Sequence, residues 1–150
     1  MQVSQIRLGL SAGFVAAAAT TGALLGFGLR QGMPARPFNV AASMILGEAA
    51  AGSWGFHRLA TPVGVVLHVV AVLALGMLAA TLAVRSRRLR VVGASVIVSL
   101  GAAILHIVLA GRDASSTRAL TIPQLIVVYL LLTAGLMVGM RLARSSGRSD

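Results

Sequence analysis

Hydrophobic and polar positions fall into long separate blocks along this chain. Four blocks carry almost no charged side chain and are about as long as a helix must be to cross the hydrocarbon core of a membrane, roughly 20 residues. The four predicted spans are 8–29, 62–84, 91–111 and 122–141. Because 150 residues leave no room for a second domain, the pattern predicts one all-α integral membrane domain over 1–150, built as a four-transmembrane-helix bundle.

The segment between the first two spans is apolar but interrupted by polar residues. A carboxylate such as Glu48 in the middle of a span costs about 2.5 to 3.5 kcal/mol, which disfavours a fifth crossing, although a five-span arrangement stays open. We expect Asn39 to be the N-cap of a short helix over 40–51 and Gly52 to stop it. Pro34 and Pro37 predict a stiff, extended approach to this helix. The short helix is predicted to be interfacial or re-entrant on the extracytoplasmic side.

The placement of arginine predicts orientation. All thirteen basic residues are arginines, and most of them flank the spans. Basic residues in short loops are retained on the cytoplasmic side, so the loop over 85–90 is predicted to be cytoplasmic. Four spans then bring both the N and C termini, including a polar tail over 143–150, to the cytoplasmic side. Brevity and arginine bias together predict a multi-pass protein of a prokaryotic plasma membrane.

Composition supports the membrane assignment and excludes several classes of protein. The chain is 57% hydrophobic and 11% charged, with a mean hydropathy of +0.92, whereas a soluble domain is typically about 25% charged. The net charge of +10 could suggest nucleic acid binding. However, the arginines lie between the apolar spans and do not cover a solvated face, as nucleic acid binding would require. The lipid bilayer is therefore the expected partner, and nucleic acid is not. The absence of cysteine excludes disulfides, thiolate metal sites and iron–sulfur clusters.

Two histidines inside the spans are the strongest candidates for a functional site. His68 precedes Arg85, and His106 follows Arg90, by a helical distance of about 25 Å in each case. The two imidazoles are therefore predicted to share one depth in the outer part of the bilayer. Gln124, counted back from the arginines after the fourth span, falls at the same depth, and Thr20 and Thr21 come within about one turn of it.

This polar layer has two main interpretations. Histidines on two facing helices can ligate the iron of haem b, and a single histidine can hold a chlorin; Arg58 and Arg112 lie on the correct side to meet propionate groups. Against a haem site, only four Phe, one Trp and one Tyr are available to surround a macrocycle, and the sequence has no second pair of histidines. An ordinary network of hydrogen bonds between helices is the other interpretation.

Weaker readings of the ionisable residues also stay open. His57 and Glu48 are weak candidates for additional zinc or copper ligands, although their spacing matches no known ligand motif. A proton relay through the histidines would make the protein a small transporter or proton-linked channel. No serine has a visible histidine and acid arrangement, and no glycine-rich loop follows a strand. No catalytic residue is predicted, and we expect the protein not to be an enzyme.

Glycines at a spacing of four predict where helices pack closely. Gly22 with Gly26 in the first span and Gly135 with Gly139 in the fourth would form ridges of small residues. Since extramembrane domains are absent, these ridges favour a non-enzymatic integral membrane subunit that packs against partner transmembrane helices in a larger complex. The alternatives are a haem b or pigment-binding protein that uses His68 and His106 in electron or energy transfer, and a small transporter.

Overall fold

The structure is a computed structural model that describes residues 3–53, 55–86, 90–110 and 120–146. In these residues every regular element is a helix, and four helices are long and apolar enough to cross a membrane. The helices are α1 Val3–Arg30, α2 Arg36–Leu46, α3 Glu48–Ala51, α4 Ala60–Arg85, α5 Val91–Ala110 and α6 Ile122–Ser146. The predicted fold class, a multispan all-α membrane protein with a short helix between the first two spans, is confirmed.

The four long helices form a ring in which α1 is the most extensively packed. It lies along α4 on one side and along α6 on the other, while α5 contacts α4 and α6 less extensively and completes the ring. The hairpin end of the bundle carries the turn from α4 to α5. The loop end carries α2, α3 and residues 57–59.

Small residues bring the backbones of α1, α4 and α6 close together. A Cβ added to Gly76 of α4 would lie 2.5 Å from the backbone nitrogen of Gly13 in α1. One added to Gly135 of α6 would lie 2.5 Å from the Cα of Ala16. Such contacts exclude any larger side chain and let dispersion forces act between the backbones themselves.

The short helix between the first two spans has other bounds than the sequence predicted. Helix α2 begins at Arg36, so Asn39 lies inside the helix and is not its N-cap. Pro37 stands in the first turn, where its missing N–H costs nothing, so the approach is helical and not extended. Gly47, at φ +80°, adopts the left-handed region that favours glycine. It ends α2, and the predicted helix over 40–51 is split there into two.

The core shared by all four long helices lies in the half of the bundle next to the hairpin end. Its buried residues include Ala12 and Ala16 of α1, Ala79 of α4, Val98 of α5 and Leu136 of α6. In the half next to the loop end, the described residues 100–108 of α5 and 122–131 of α6 contain no buried position. The two helices are therefore held mainly through their hairpin-end halves.

Helix α2 covers the loop end of α4. Gly64, His68, Val72 and Ala79 follow one another at helical spacing and so share one face of α4, and Val72 and Ala79 belong to the four-helix core. Nearer the loop end, the carbonyl oxygen of Phe38 occupies the place where Gly64 would carry a Cβ. Helix α2 therefore covers the continuation of the face that α4 turns towards the core.

Candidate functional site

His68 is tied to α1 through Thr20. The Nε2 atom of His68 lies 3.0 Å from the hydroxyl oxygen of Thr20, which also lies 2.9 Å from the carbonyl oxygen of Ala16. A hydroxyl has one proton, and in a helix it is donated to the carbonyl one turn earlier. We therefore assign Thr20 as the acceptor of the Nε2–H of His68. Neutral His68 then has its lone pair on Nδ1.

Phe38 closes the pocket around His68 from the side of α2. Its ring meets the imidazole edge to face, with centroids 6.2 Å apart and an angle of 75° between the planes, which is a favoured geometry for aromatic pairs. Only 1% of Phe38 is exposed. Thr20, Phe38 and His68 are called the His68 cluster below. It joins α1, α2 and α4.

His106 belongs to a second group of side chains, between α5 and α6. Its ring lies edge to face with that of Tyr129, with centroids 6.1 Å apart. The Tyr129 hydroxyl donates a long, weak hydrogen bond of 3.4 Å to the carbonyl oxygen of Ala102. Two turns earlier in α5, the buried hydroxyl of Ser99 has no hydrogen-bond partner within the described part of the chain. His106 and Tyr129 are called the His106 cluster.

The two histidines thus have separate partners. Among the described residues, the His68 cluster and the His106 cluster share no side chain. Ligation of a haem iron through Nε2 of His68 would break its bond to Thr20. The arrangement is that of two local contacts between helices, each joining a different set of elements.

Gln124, which the sequence places at the depth of the histidines, is engaged at the start of α6. Its Oε1 accepts a hydrogen bond of 2.8 Å from the backbone N–H of Thr121. Thr121 precedes the helix and Gln124 is its third residue, which is the spacing of a capping box. The pattern Thr-x-x-Gln was a readable signal in the sequence, and it points to a helix start.

Of the predicted charged residues, the two that the structure describes are exposed at the loop end. Arg58 is exposed in the turn before α4, Glu48 is exposed at the start of α3, and Arg112 lies outside the described residues. In the described ranges, no group of three histidine or acidic side chains is close enough to hold a metal ion.

His57, the other weak metal candidate, caps α4. Its Nδ1 accepts hydrogen bonds from the backbone N–H of Ala60 at 3.0 Å and of Leu59 at 3.3 Å. Ala60 is the first residue of the helix and Leu59 is its N-cap residue, and backbone N–H groups at the start of a helix have no partner within it. The neutral ring must then carry its proton on Nε2. A metal on Nδ1 would take the lone pair that accepts these bonds, and a metal on Nε2 would move the proton to Nδ1. In both cases α4 would lose its cap.

A buried polar network, which the sequence reading missed, holds α2 against the loop before α4. The amide nitrogen of Asn39 donates to the carbonyl oxygens of Ser53 and Gly55, both at 2.8 Å. Its amide oxygen accepts a hydrogen bond of 2.7 Å from the hydroxyl of Thr61, which itself accepts from the backbone N–H of His57 at 2.9 Å. The sequence did contain a signal for this network: Asn39 is a polar amide that lies among apolar residues, between Phe38 and Ala42, in an amphipathic helix.

The predicted glycine ridges have different environments. Gly135 and Gly139 lie against α1, where an added Cβ would clash with Ala16 and Ala12. Among the described residues, no heavy atom comes within 4 Å of a Cβ placed on Gly22 or Gly26. Gly22 is exposed and Gly26 half-buried, and Ala18, one turn earlier, is exposed as well. Ala18, Gly22 and Gly26 are called the open ridge of α1.

The four long apolar helices define a multi-pass helical membrane protein. No family model, no curated protein and no solved structure matches this chain. Function is therefore inferred from the contacts that its own residues make and leave open.

Proposed function

We propose that this protein is a non-enzymatic integral membrane subunit that packs against transmembrane helices of a partner in a larger membrane complex. The observation that carries the proposal is the open ridge of α1. Elsewhere in α1, Gly9, Gly13 and Gly28 lie directly against other parts of the chain. The same helix turns Ala18, Gly22 and Gly26 towards the surroundings of the bundle.

A ridge of small residues favours a helix as its neighbour over lipid. Lipid tails are as apolar as leucine, so helices in a membrane associate through close packing and hydrogen bonds. Small residues one turn apart let a second backbone approach closely along the whole ridge. The bundle already uses this kind of contact at Gly135 and Gly139. A partner helix on the open ridge would repeat it between chains.

The polar side chains within the bundle support a structural role. Thr20 with His68 and Asn39 with Thr61 each link two different helices. A hydrogen bond between membrane helices contributes about 0.6 kcal/mol on average. Such bonds fix the arrangement of the helices that present the open ridge.

The orientation belongs to the same proposal. The hairpin end carries Arg7, Arg85, Arg90, Arg141 and Arg144. Under the positive-inside rule this end, with both termini, is cytoplasmic in a prokaryotic plasma membrane. A fluorescent protein fused to the C terminus is expected to fluoresce in bacterial cells, and a fused periplasmic phosphatase is expected to be inactive. The reverse result would contradict this orientation.

The substitution Gly22→Leu tests the role of the open ridge. Among the described residues outside its own turn of helix, no heavy atom lies within 4 Å of a Cβ added at Gly22, so the bundle itself is expected to fold as before, while the new side chain blocks the approach of a partner helix. Gly101→Leu is the matched control, because Gly101 is an exposed glycine of α5 that also has no described heavy atom within 4 Å of an added Cβ.

The measurement is native purification from membranes of the source cells in a mild detergent, followed by mass determination and identification of co-migrating proteins. Wild type and Gly101→Leu are expected to migrate in a complex much larger than the 15.3 kDa chain, and Gly22→Leu is expected to leave it. A wild-type chain that runs alone, or a Gly22→Leu variant that stays in the complex, would overturn the proposal.

A further inference from the structure

Large apolar side chains at the loop end have no cover from the described part of the chain. Met44 and Ile45 at the end of α2 are 71% and 65% exposed, and Phe56 and Leu59 in the loop before α4 are 74% and 58% exposed. Together these four residues are called the loop-end apolar surface. They lie outside the long spans, so the length of a span does not account for their exposure.

Two neighbouring arginines mark the level of this surface relative to the membrane. Arg30 ends α1 and Arg58 stands just before α4, and both are exposed. The segment just before α2 packs on Gly28 of α1, and α2 itself packs on Gly64 of α4, so both contacts lie on the membrane side of the arginines. Gly64 is the fifth residue of α4, about 6 Å along the helix from its first residue. Helix α2 is thus seated within the apolar part of the bundle.

The end of α2 then returns to the level of the arginines. Ala42 packs with Ala60, the first residue of α4, and Met44 and Ile45 follow immediately. Amphipathic helices at membrane surfaces bury their apolar face about 5–10 Å into the boundary between headgroups and acyl chains. Met44 and Ile45, which follow Ala42 at the level where α4 begins, match this boundary.

Charge favours an anionic occupant. Among the described residues of the loop end, Glu48 is the only acidic side chain, whereas Arg30 and Arg58 are exposed and basic. Exposed arginines beside an apolar surface attract anionic lipid headgroups. The exposed apolar residues disfavour contact of this surface with water. The two arginines add an attraction to the headgroups of anionic lipids.

We propose that the loop end is a lipid-binding surface, in which Met44, Ile45, Phe56 and Leu59 enter the membrane interface and Arg30 and Arg58 bind anionic phospholipid headgroups. This proposal does not depend on the function proposed above, because it concerns another face of the molecule.

The cysteine-free chain allows a direct test with single cysteines. Met44→Cys carries an environment-sensitive fluorophore in vesicles of phosphatidylcholine and phosphatidylglycerol. Leu130→Cys, an exposed position in the middle of α6, is the lipid control, and Ser145→Cys, an exposed position at the end of α6, is the water control. Quenching by spin-labelled lipid and by aqueous iodide is measured for all three.

The Met44 probe is expected to behave like the Leu130 probe, with strong quenching by spin-labelled lipid and weak quenching by iodide. Spin-labelled phosphatidylglycerol should be enriched over phosphatidylcholine near the Met44 probe, by up to about fivefold per arginine. The double variant Arg30→Gln, Arg58→Gln should abolish this preference.

A Met44 probe that is quenched like the Ser145 probe would place the surface in water. Protection from both quenchers would mean that protein covers it. Equal quenching by the two lipids in wild type would remove the role of the arginines. Each of these results overturns the proposal.

Discussion

Asn39 illustrates how one buried side chain can hold several segments in place. It is fully buried, and its amide makes three hydrogen bonds, which join α2 to the loop at 53–55 and to Thr61 of α4. An amide has donors and an acceptor on one rigid plane, so no other residue of similar volume can satisfy both carbonyl oxygens and the hydroxyl.

We predict that Asn39→Leu lowers the free energy of unfolding by about 3 kcal/mol, since the lost amide leaves buried polar partners unsatisfied at about 1–3 kcal/mol each. The matched control is Ser43→Ala in the same helix, because the Ser43 hydroxyl bonds only to the carbonyl oxygen of Val40 one turn away. Titration with a denaturing detergent in mixed micelles measures both variants. Equal stability of the two would show that the Asn39 network contributes nothing.

Gly64 is a second residue whose neighbours leave no choice of side chain. The carbonyl group of Phe38 lies where a Cβ would be, so even Gly64→Ala must push α2 away from α4. We expect this variant to lose several degrees of thermal stability in detergent. Gly101→Ala, at an open helical position, is expected to keep or slightly raise stability, because alanine favours the helix. A Gly64→Ala variant as stable as wild type would contradict the packing of α2 on α4.

The start of α4 depends on a side chain that precedes it. His57 accepts hydrogen bonds from the first backbone N–H groups of the helix through Nδ1, in the manner of an N-cap. Removal of the imidazole should therefore destabilise the first turn of α4, whereas the bond that the backbone N–H of His57 donates to Thr61 stays in place.

We predict that His57→Ala lowers the free energy of unfolding by about 1 kcal/mol, the usual cost of a lost cap. Arg58→Ala, an exposed neighbour without a cap bond, is expected to change it little. Titration with a denaturing detergent in mixed micelles measures both variants. A His57→Ala variant as stable as Arg58→Ala would be inconsistent with a cap through Nδ1.

The long helices could be predicted from sequence because their physical cause is local. A helix in lipid needs an uninterrupted apolar stretch of a certain length. The apolar stretches of α4 and α5 are interrupted by arginines, and both helices end close to them. The bounds of α2 could not be predicted in the same way. Asn39 has the residue type of an N-cap, but its amide is used by Ser53, Gly55 and Thr61, which only the tertiary fold brings close.

The same limit applies to glycine spacing. Gly22 with Gly26 and Gly135 with Gly139 have identical spacing, yet only the second pair lies against another helix of the chain. Glycine spacing shows that a helix has a face lined by small residues. The direction in which that face points depends on how the helix is rotated in the bundle. Gly64 and Gly76, which have no partner at this spacing, are both sites of close contact.

At the scale of the molecule, the bundle has a tightly packed half and a looser one. The core lies towards the hairpin end, and the histidines lie beyond it, His68 under α2 and His106 beside Tyr129. The arginine spacing placed both imidazoles at one depth, but it contained no information on which side of its helix each would face. Depth is set by the membrane, and the contacts are set by packing.

This division gives a prediction that separates a shared ligand from two local contacts. If both histidines held one haem, loss of either would abolish binding, and the effects of His68→Ala and His106→Ala on stability would be strongly coupled. Because the His68 and His106 clusters share no described side chain, we expect the effects of the two substitutions on the free energy of unfolding to add within about 0.5 kcal/mol.

Thr20→Val and His68→Ala, which remove the two ends of one hydrogen bond of 3.0 Å, should instead show a coupling of about 0.6 kcal/mol. Double-mutant cycles in mixed micelles measure both quantities, and an absorption spectrum of the wild-type protein accompanies them. A Soret band that disappears in either histidine variant, together with coupling between the histidines, would show that one ligand joins the two clusters.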